Sequence, residues 1–293
     1  MQRNCSIVLA LFLVGIYTMF SFKNADKVTV IGDVHGCLPT LEKLLNRIDK
    51  DMPLIFIGDI INRGPQSLET LRLIRSLGKR ARVILGNHDM HFLATAAGNG
   101  KANRRDTIAE IFKAPDAEEL IDWMRHQRLM YRWKEYTFVH AAIDPAWSIK
   151  EADELAGEVH DILRSKHWKD ALKEMYGKDL WDPKLKGSAR MRAILNGFTR
   201  IRFVDKKGVP DYKAKESPQA VGADLMPWFD YPNRKTANDT IVFGHWSTLG
   251  LILRPHIIAL DTGCIWGGSL TAIELPSRRI IQEKAPQYLD PLA

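Results

Sequence analysis

Asp33, His35, Asp59, Asn87, His88, His140 and His245 are the residues of this 293-residue sequence whose types and spacing could do chemistry. Asp33 and His35 share the turn GDVHG at 32–36, and Asp59 lies in GDIINRG at 58–64. Asn87 and His88 belong to GNHD at 86–89, His140 to VHAAI at 139–143, and His245 to GHW at 244–246. Carboxylate, imidazole and amide oxygen without thiolate form a borderline-hard donor set. Such a set suits manganese, iron, cobalt or zinc with open positions for water, rather than a closed structural zinc. Asp33, His35, Asp59, Asn87, His140 and His245 are more ligands than one catalytic metal needs. Two metals sharing a carboxylate, about 3.5 to 4 Å apart, would use them all and could hold a hydroxide between them for in-line attack at phosphorus. A metallohydrolase is the expected chemistry.

Each of these residues falls at or just beyond the end of a predicted strand. Val28, Thr29, Val30 and Ile31 are all β-branched, which favours a buried strand, and Gly32 and Gly36 then free the backbone for a tight turn. LIFIGDIINRGP (54–65) is followed by SLETLRLIRSLG, whose Leu68, Leu71, Leu73, Ile74 and Leu77 keep mainly to one helical face. RVILGNHDMH (82–91) repeats the strand and turn before another helix. The 26 residues from Asp33 to Asp59 and the 28 from Asp59 to Asn87 each match one βα repeat, so parallel strands are expected. Their polar turns converge at the carboxyl ends of the strands, where open α/β sheets bind ligands. YTFVHAAI (136–143) and TIVFGHWS (240–247) add two more strands with polar ends. HIIALDTGCIWGG, SLTAIEL and RRIIQ, over 256–282, are expected to close a second sheet. APDAEELIDWMRHQ (114–127) reads as a scaffold helix with Asp116 as N-cap and Glu119 three residues on. Residues 148–238 become helical and then irregular, and read as an inserted cap over the strand ends. No solenoid repeat or low-complexity tract is visible.

A hydrophobic fraction of 45% with 26% charged residues is ordinary for a globular chain of this length. The layout expected is an apolar segment over 1–27 and a catalytic domain over 28–293 that carries the 148–238 insertion. The formal charge of +7 and pI near 9.2 suit an anionic partner such as a phosphorylated metabolite, nucleic acid or membrane surface. Cys5, Cys37 and Cys264 form neither a disulfide framework nor a thiolate zinc site, which fits a reducing compartment. Residues 6–22, SIVLALFLVGIYTMFSF, are uncharged and apolar. That run is near the lower limit of roughly 17 residues for spanning a bilayer, and no small-x-small cleavage site follows it. It reads as a short membrane anchor on a cytoplasmic catalytic domain, with translation from Met19 as the alternative.

GDVHG, GDIINRG, LGNHD, VHAAI and FGHW, in this order, resemble the five motif blocks of the calcineurin-like metallophosphoesterases. NHDMHFLA, KAPDAEELIDW, NGFTRIRF, KESP, PWF, FGHWSTL and ALDTGCIWGG narrow the resemblance to the symmetrical bis(5'-nucleosyl)-tetraphosphatases of the ApaH type, across nearly all of residues 28–275. The resemblance implies an α/β fold, an αββα sandwich of two mixed sheets with a mainly helical cap. It also implies a dinuclear site supplied with manganese or cobalt, and hydrolysis of diadenosine tetraphosphate to two ADP. By motif position Asp59 would bridge the metals, His88 would be the general acid, and Arg63 a phosphate clamp. The residue types agree: imidazole has a near-neutral pKa suited to proton donation, and guanidinium offers planar, bidentate donors to a phosphoryl group. Arg200, Arg202 and Lys215 are candidates for the remaining phosphates. Trp246 and Trp266 either stack on a base or pack the core, and Trp266 is the candidate for the substrate.

Two positions depart from the family pattern. Asn62 stands where broad-family protein phosphatases carry the aspartate that orients the catalytic histidine. Without that carboxylate His88 should be a weaker acid–base partner, a loss that a phosphoanhydride, whose leaving group departs as a stabilised anion, can tolerate. Ala142 stands where the family often has glycine after His140, and its methyl is expected to crowd that turn. The alternatives are a serine/threonine protein phosphatase, a general nucleotide pyrophosphatase, or decapping of nucleoside-capped RNA 5' ends. A binding module that has lost turnover is a further one. No protein partner is expected.

Overall fold

Three βα repeats open the fold, in a computed structural model that describes Phe22, residues 25–100 and residues 103–290. They are β1 (Val28–Ile31), α1 (Leu38–Leu45), β2 (Leu54–Phe56), α2 (Ser67–Ser76), β3 (Ala81–Val83) and α3 (Asn87–Ala96). The strands pair in parallel, Val30 opposite Ile55 and Ile55 opposite Arg82. The chain then passes through α4 (Ala109–Lys113) and α5 (Ala117–Arg125) into a hairpin of β4 (Met130–Trp133) and β5 (Tyr136–Val139). Next come α6 (Ile149–Arg164), α7 (Trp168–Leu172) and α8 (Gly187–Thr199). A small sheet follows, made of β6 (Phe203–Asp205), β7 (Pro210–Asp211) and β8 (Leu225–Pro227). Finally β9 (Thr240–Phe243), β10 (Ile252–Leu253), β11 (Ile257–Ala259), β12 (Ser269–Leu275) and β13 (Arg279–Lys284) complete two five-stranded sheets. Their orders are β13-β12-β1-β2-β3 and β10-β11-β9-β5-β4, and both are mixed.

The sheets face each other through Val28, Val30, Ile55, Phe138, Val242 and Ile258. Their other faces carry Ile31, Phe56, Ile241 and Phe243 against the helices and the remaining core. Alternate residues of one strand thus serve two cores, as period-2 geometry requires, and the layers are αββα. One expectation fails. SLTAIEL and RRIIQ do not close the second sheet. As β12 and β13 they extend the first, with β12 antiparallel to β1 and Val28 opposite Leu275. All four residues of β1 are buried, so its free edge needed a second partner, and β12, buried from Leu270 to Leu275, supplies it. The segment between β11 and β12 therefore crosses from one sheet to the other at the strand ends.

Asp116 does precede α5, but its side chain does not cap it. The Arg72 guanidinium takes both carboxylate oxygens, Nε at 3.0 Å and Nη2 at 2.5 Å, and ties α5 to α2. A true capping box opens α6 instead. Glu151 N–H donates to Ser148 Oγ at 3.2 Å, and the Glu151 carboxylate accepts from Ser148 N–H at 2.7 Å. Gly157 lies in the interior of this helix with open space where a Cβ would point. Gly157→Ala should therefore stabilise the protein by about 1 kcal/mol, read as a rise of roughly 2 to 4 °C in thermal midpoint.

No helix among the described residues is long and apolar enough to cross a membrane. The apolar run lies outside the described residues except for Phe22. That ring is buried, edge-on to Tyr131 at 6.0 Å between centroids, with the Arg82 guanidinium 4.5 Å above it. Cys37 and Cys264 are buried and free, and Cys5 lies outside the described residues.

Candidate active site

The turns after β1 and β2 are stitched together by backbone. His35 N–H donates to Asp59 O at 2.8 Å, Gly36 N–H to Ile60 O at 3.0 Å, and Gly64 N–H to His35 O at 2.8 Å. To make these bonds His35, Asp59, Asn62 and Arg63 adopt left-handed backbone, with φ of 51°, 48°, 74° and 76°, and His245 does so across the site at 65°. Each non-glycine residue held there costs on the order of 1 to 3 kcal/mol, and such strain gathers where function requires it. Glycines allow the close approach of the remaining walls. A Cβ on Gly86 would lie 2.1 Å from Asp59 Oδ1, and one on Gly244 2.0 Å from Asp33 Oδ1.

All six candidate ligands are brought together. Asp59 Oδ2 lies 3.3 Å from His140 Nε2 and 3.8 Å from His35 Nε2. His140 Nε2 lies 3.1 Å from Asn87 Oδ1, and His35 Nε2 lies 3.9 Å from Asp33 Oδ2. His245 N–H donates to both oxygens of Asp33, at 3.2 and 3.1 Å. Potential ligand atoms of His35, Asp59 and His88 lie within 4.8 Å of one another, as do those of Asp59, His140 and His245. Asp59 belongs to both groups. The His140 ring donates from Nδ1 to Ile57 O at 2.9 Å, and His35 Nδ1 lies 3.3 Å from Asn62 O. These bonds leave the Nε2 lone pairs pointing into the cluster, which is how proteins orient imidazole ligands. Ala142 is buried beneath this turn without moving His140 from the cluster.

The electrostatics describe a site built for cations. Burial, helped by Asp261 and Asp59, raises the Asp33 carboxyl well above its ordinary range, and burial raises Asp261 too. Asp89 is pushed up to about 7 by burial and by Asp59. Burial would also raise Asp59, but His140, His88 and His35 outweigh it and hold this carboxyl well below its ordinary value. Burial and the Arg202 charge hold His245 well below the usual imidazole range, so its ring is neutral. Its Nε2 is buried with no hydrogen-bond partner among the described residues. An orphaned imidazole lone pair beside crowded carboxylates is the donor chemistry that divalent cations satisfy.

Asp89 and Asp261 were not singled out from sequence. Asp89 Oδ2 accepts from Asp59 N–H at 2.8 Å and Gly86 N–H at 2.9 Å, and Oδ1 accepts from Ile60 N–H at 3.2 Å. It ties two ligand-bearing loops to the start of α3. Its position three residues after the Gly86 N-cap carried that signal. Asp261 follows β11 as Asp33 follows β1, so the strand-end rule already applied to it.

The arginines divide between two cavities. One, of about 530 Å³, is lined by Arg63, His88, His91, Tyr176 and Arg200. The other, of about 540 Å³, is lined by Arg202, Lys215, Trp246, Thr262 and Trp266. Arg200 Nη1 donates to Gly177 O at 2.7 Å, and Arg202 Nη2 donates to His245 O at 2.9 Å. Burial draws Arg202 down to about 10. Lys215 is exposed and Trp266 half-buried, whereas Trp246 is core, packed on Phe203 at 4.5 Å with Nε1 donating to Glu216 O. His88 stands at the edge of the ligand cluster, 5.0 Å from His35 between ring centroids, and burial lowers its pKa to about 3.

Two facing mixed sheets with oxygen and nitrogen donors at their strand ends define a metallophosphoesterase: the family model for calcineurin-like phosphoesterase matches residues 26–250, and the chain belongs to that family. Within it, the sequence is 50% identical over 266 residues to a symmetrical bis(5'-nucleosyl)-tetraphosphatase of Janthinobacterium sp. (strain Marseille), covering 89% of this chain and 97% of that one. Proteins of the same name from Delftia acidovorans and Bordetella pertussis are 47% and 45% identical, with 89% and 90% of this chain and 98% of each relative covered. Among solved structures, a cold-active protein-tyrosine phosphatase of a psychrophile Shewanella sp. is similar with a TM-score of 0.55 at 19% identity, covering 87% of this chain and 77% of that one. A protein serine/threonine phosphatase from Saccharomyces cerevisiae gives 0.53 at 14% identity, over 90% and 81%. These two likenesses are of fold. Membership of the family implies divalent metals, and the clustered donors fit them.

Proposed function

We propose that this chain hydrolyses diadenosine tetraphosphate symmetrically to two ADP, using two divalent metals, manganese or cobalt. Asp33 and His35 with Asp59 would hold one, and Asn87, His140 and His245 with Asp59 the other. The observation that carries the reading is the Asp59 carboxylate common to two donor groups, one with His35 and His88 and one with His140 and His245, near two arginine-bearing cavities, the first lined by Asn87 and His88 and the second by Arg202, which donates to His245 O. A substrate with a nucleoside at each end and four phosphates between matches that arrangement in charge and in having two cavities to fill. When bound, the metals supply Lewis-acid charge to the phosphoryl oxygens and lower the pKa of the attacking water.

The chain's own groups do the rest. Arg63 faces the central phosphates; its Nη1 is buried without a hydrogen bond among the described residues and pairs with Asp106 Oδ1 only at 3.7 Å, so it keeps a donor for them. Arg200 and Arg202, with Lys215 beside the latter, meet the outer phosphates in their separate cavities, and Trp266 offers its face to one base. As water attacks phosphorus and the bridging P–O bond breaks, the neutral His88 ring donates a hydrogen bond from Nε2 to the departing oxygen, and ADP leaves as a stabilised anion without taking the ring proton. We place the catalytic domain in the cytoplasm on the strength of its free thiols, Cys37 and Cys264, which stay reduced there.

The test is product analysis with manganese- or cobalt-loaded protein. ADP should be the sole nucleotide product, chelation should abolish turnover, and metal re-addition should restore it. AMP plus ATP would contradict the reading.

A further inference from the structure

We infer that Asp106 is a positioning residue for His88, acting through Asn62: the carboxylate missing from position 62 is present one hydrogen bond further out. This rests on the reading of His88 as the donor that stabilises the leaving oxygen. The Asn62 carboxamide is oriented without ambiguity. Its Oδ1 accepts from two backbone N–H groups, Arg63 at 2.8 Å and Thr107 at 3.0 Å. Its Nδ2 donates to Asp106 Oδ1 at 3.0 Å. Rotating the amide by half a turn would set NH2 against two donors and oxygen against a carboxylate, so the assignment follows from the network rather than from a choice of label.

The second Nδ2 hydrogen points at His88 Nδ1, 3.2 Å away. Because the amide nitrogen can only donate, Nδ1 must accept, and the neutral ring carries its proton on Nε2. Asp106 fixes the tautomer of a ring it does not touch. Asp106 is itself held: its Oδ2 lies 2.8 Å from His91 Nε2, whose Nδ1 lies 2.5 Å from Tyr176 Oη, and its Oδ1 lies 3.7 Å from Arg63 Nη1, so loss through Arg63 is told from loss through Asn62 by the double variant, which restores only the second. Asn62 is equally braced, its N–H donating to Ser67 Oγ at 2.9 Å, and Ser67 Oγ lies 3.0 Å from Thr107 Oγ1. The same geometry shows why aspartate is absent from position 62. An oxygen in place of Nδ2 would lie about 3 Å from the Asp106 carboxylate, and like charges so close cannot both ionise.

A reciprocal swap tests this, on zinc-loaded protein for nitrogen NMR and on manganese-loaded protein for kinetics with diadenosine tetraphosphate. In the wild type, His88 Nδ1 should resonate as a bare, pyridine-type nitrogen and Nε2 as N–H, the signals being assigned by their loss in His88→Gln. Asp106→Asn should lower kcat about 10- to 100-fold, part of what one donor to the developing charge contributes, while KM changes much less. Asn62→Asp should lose at least as much, and Asn62→Asp with Asp106→Asn should recover most of it, the lone carboxylate at position 62 now holding the ring protonated on both Nδ1 and Nε2. A protonated Nδ1 in the wild type, an Asp106→Asn enzyme with unchanged kcat, or a double variant no better than Asn62→Asp would each overturn the inference. His88→Gln separates the two levels. If it retains full kcat the reading of His88 as leaving-group donor is wrong, and if it loses kcat while Asp106→Asn does not, only the relay is wrong.

Discussion

Asp59→Asn should reduce kcat/KM on diadenosine tetraphosphate by about 10³-fold or more, because Lewis-acid stabilisation is worth several kcal/mol and each 1.36 kcal/mol is a decade in rate. Asp59 is the residue for which this loss should be largest. Its carboxylate is common to both donor groups, Oδ2 lies among His140 and His35, and Oδ1 accepts from His88 N–H at 2.8 Å. The amide keeps the size and an oxygen, so the fold should survive, but it removes the charge that three surrounding histidines stabilise. Bound metal should fall from two ions toward one or none per chain, measured by elemental analysis after gel filtration. Full activity at full metal loading in this variant would exclude a bridging role.

Much of this site was legible because one rule placed it. A polar residue just past a buried strand of a βα repeat must face the carboxyl ends, and Asp33, Asp59 and Asn87 follow from it directly. His140 and His245 follow from the same rule in the second sheet, although pairing between the sheets cannot be read from periodicity. The destination of β12 was not legible. Its sequence is adjacent to β11, and nothing local says that the buried edge of β1 lies nearer. Asp106 was hidden for a different reason. It belongs to no strand end or motif, and its relation to Asn62 spans 44 residues and exists only once α3 and the following loop are packed. Asn62 therefore read as a bare loss of carboxylate. Asp116 stands at the N-cap of α5 without capping it because a long-range guanidinium takes the same oxygens that a local N–H would use.

Gly86→Ala should lower kcat/KM about 10²-fold, the cost of misplacing a catalytic group by roughly 1 Å, although Gly86 has ordinary extended backbone that any residue can adopt. The obstacle is space. Its Cβ would fall 2.1 Å from Asp59 Oδ1 and 2.4 Å from Asp59 N, so either the bridging carboxylate or the start of α3 must move. The start of α3 carries Asn87 and His88, and it is tied to the Asp59 loop through the Asp89 carboxylate. Neither wall can yield without shifting ligands of both groups. Overpacking of this kind also costs about 1 to 3 kcal/mol of stability, so the thermal midpoint should fall, opposite in sign to Gly157→Ala in the open middle of α6. Gly244→Ala, whose Cβ would lie 2.0 Å from Asp33 Oδ1, should behave in the same way. The diagnostic is a loss of activity far larger than the loss of stability explains, measured at a temperature where both variants remain folded. Equal activity in Gly86→Ala and the parent would mean that Asp59 is not held against this turn in the working enzyme.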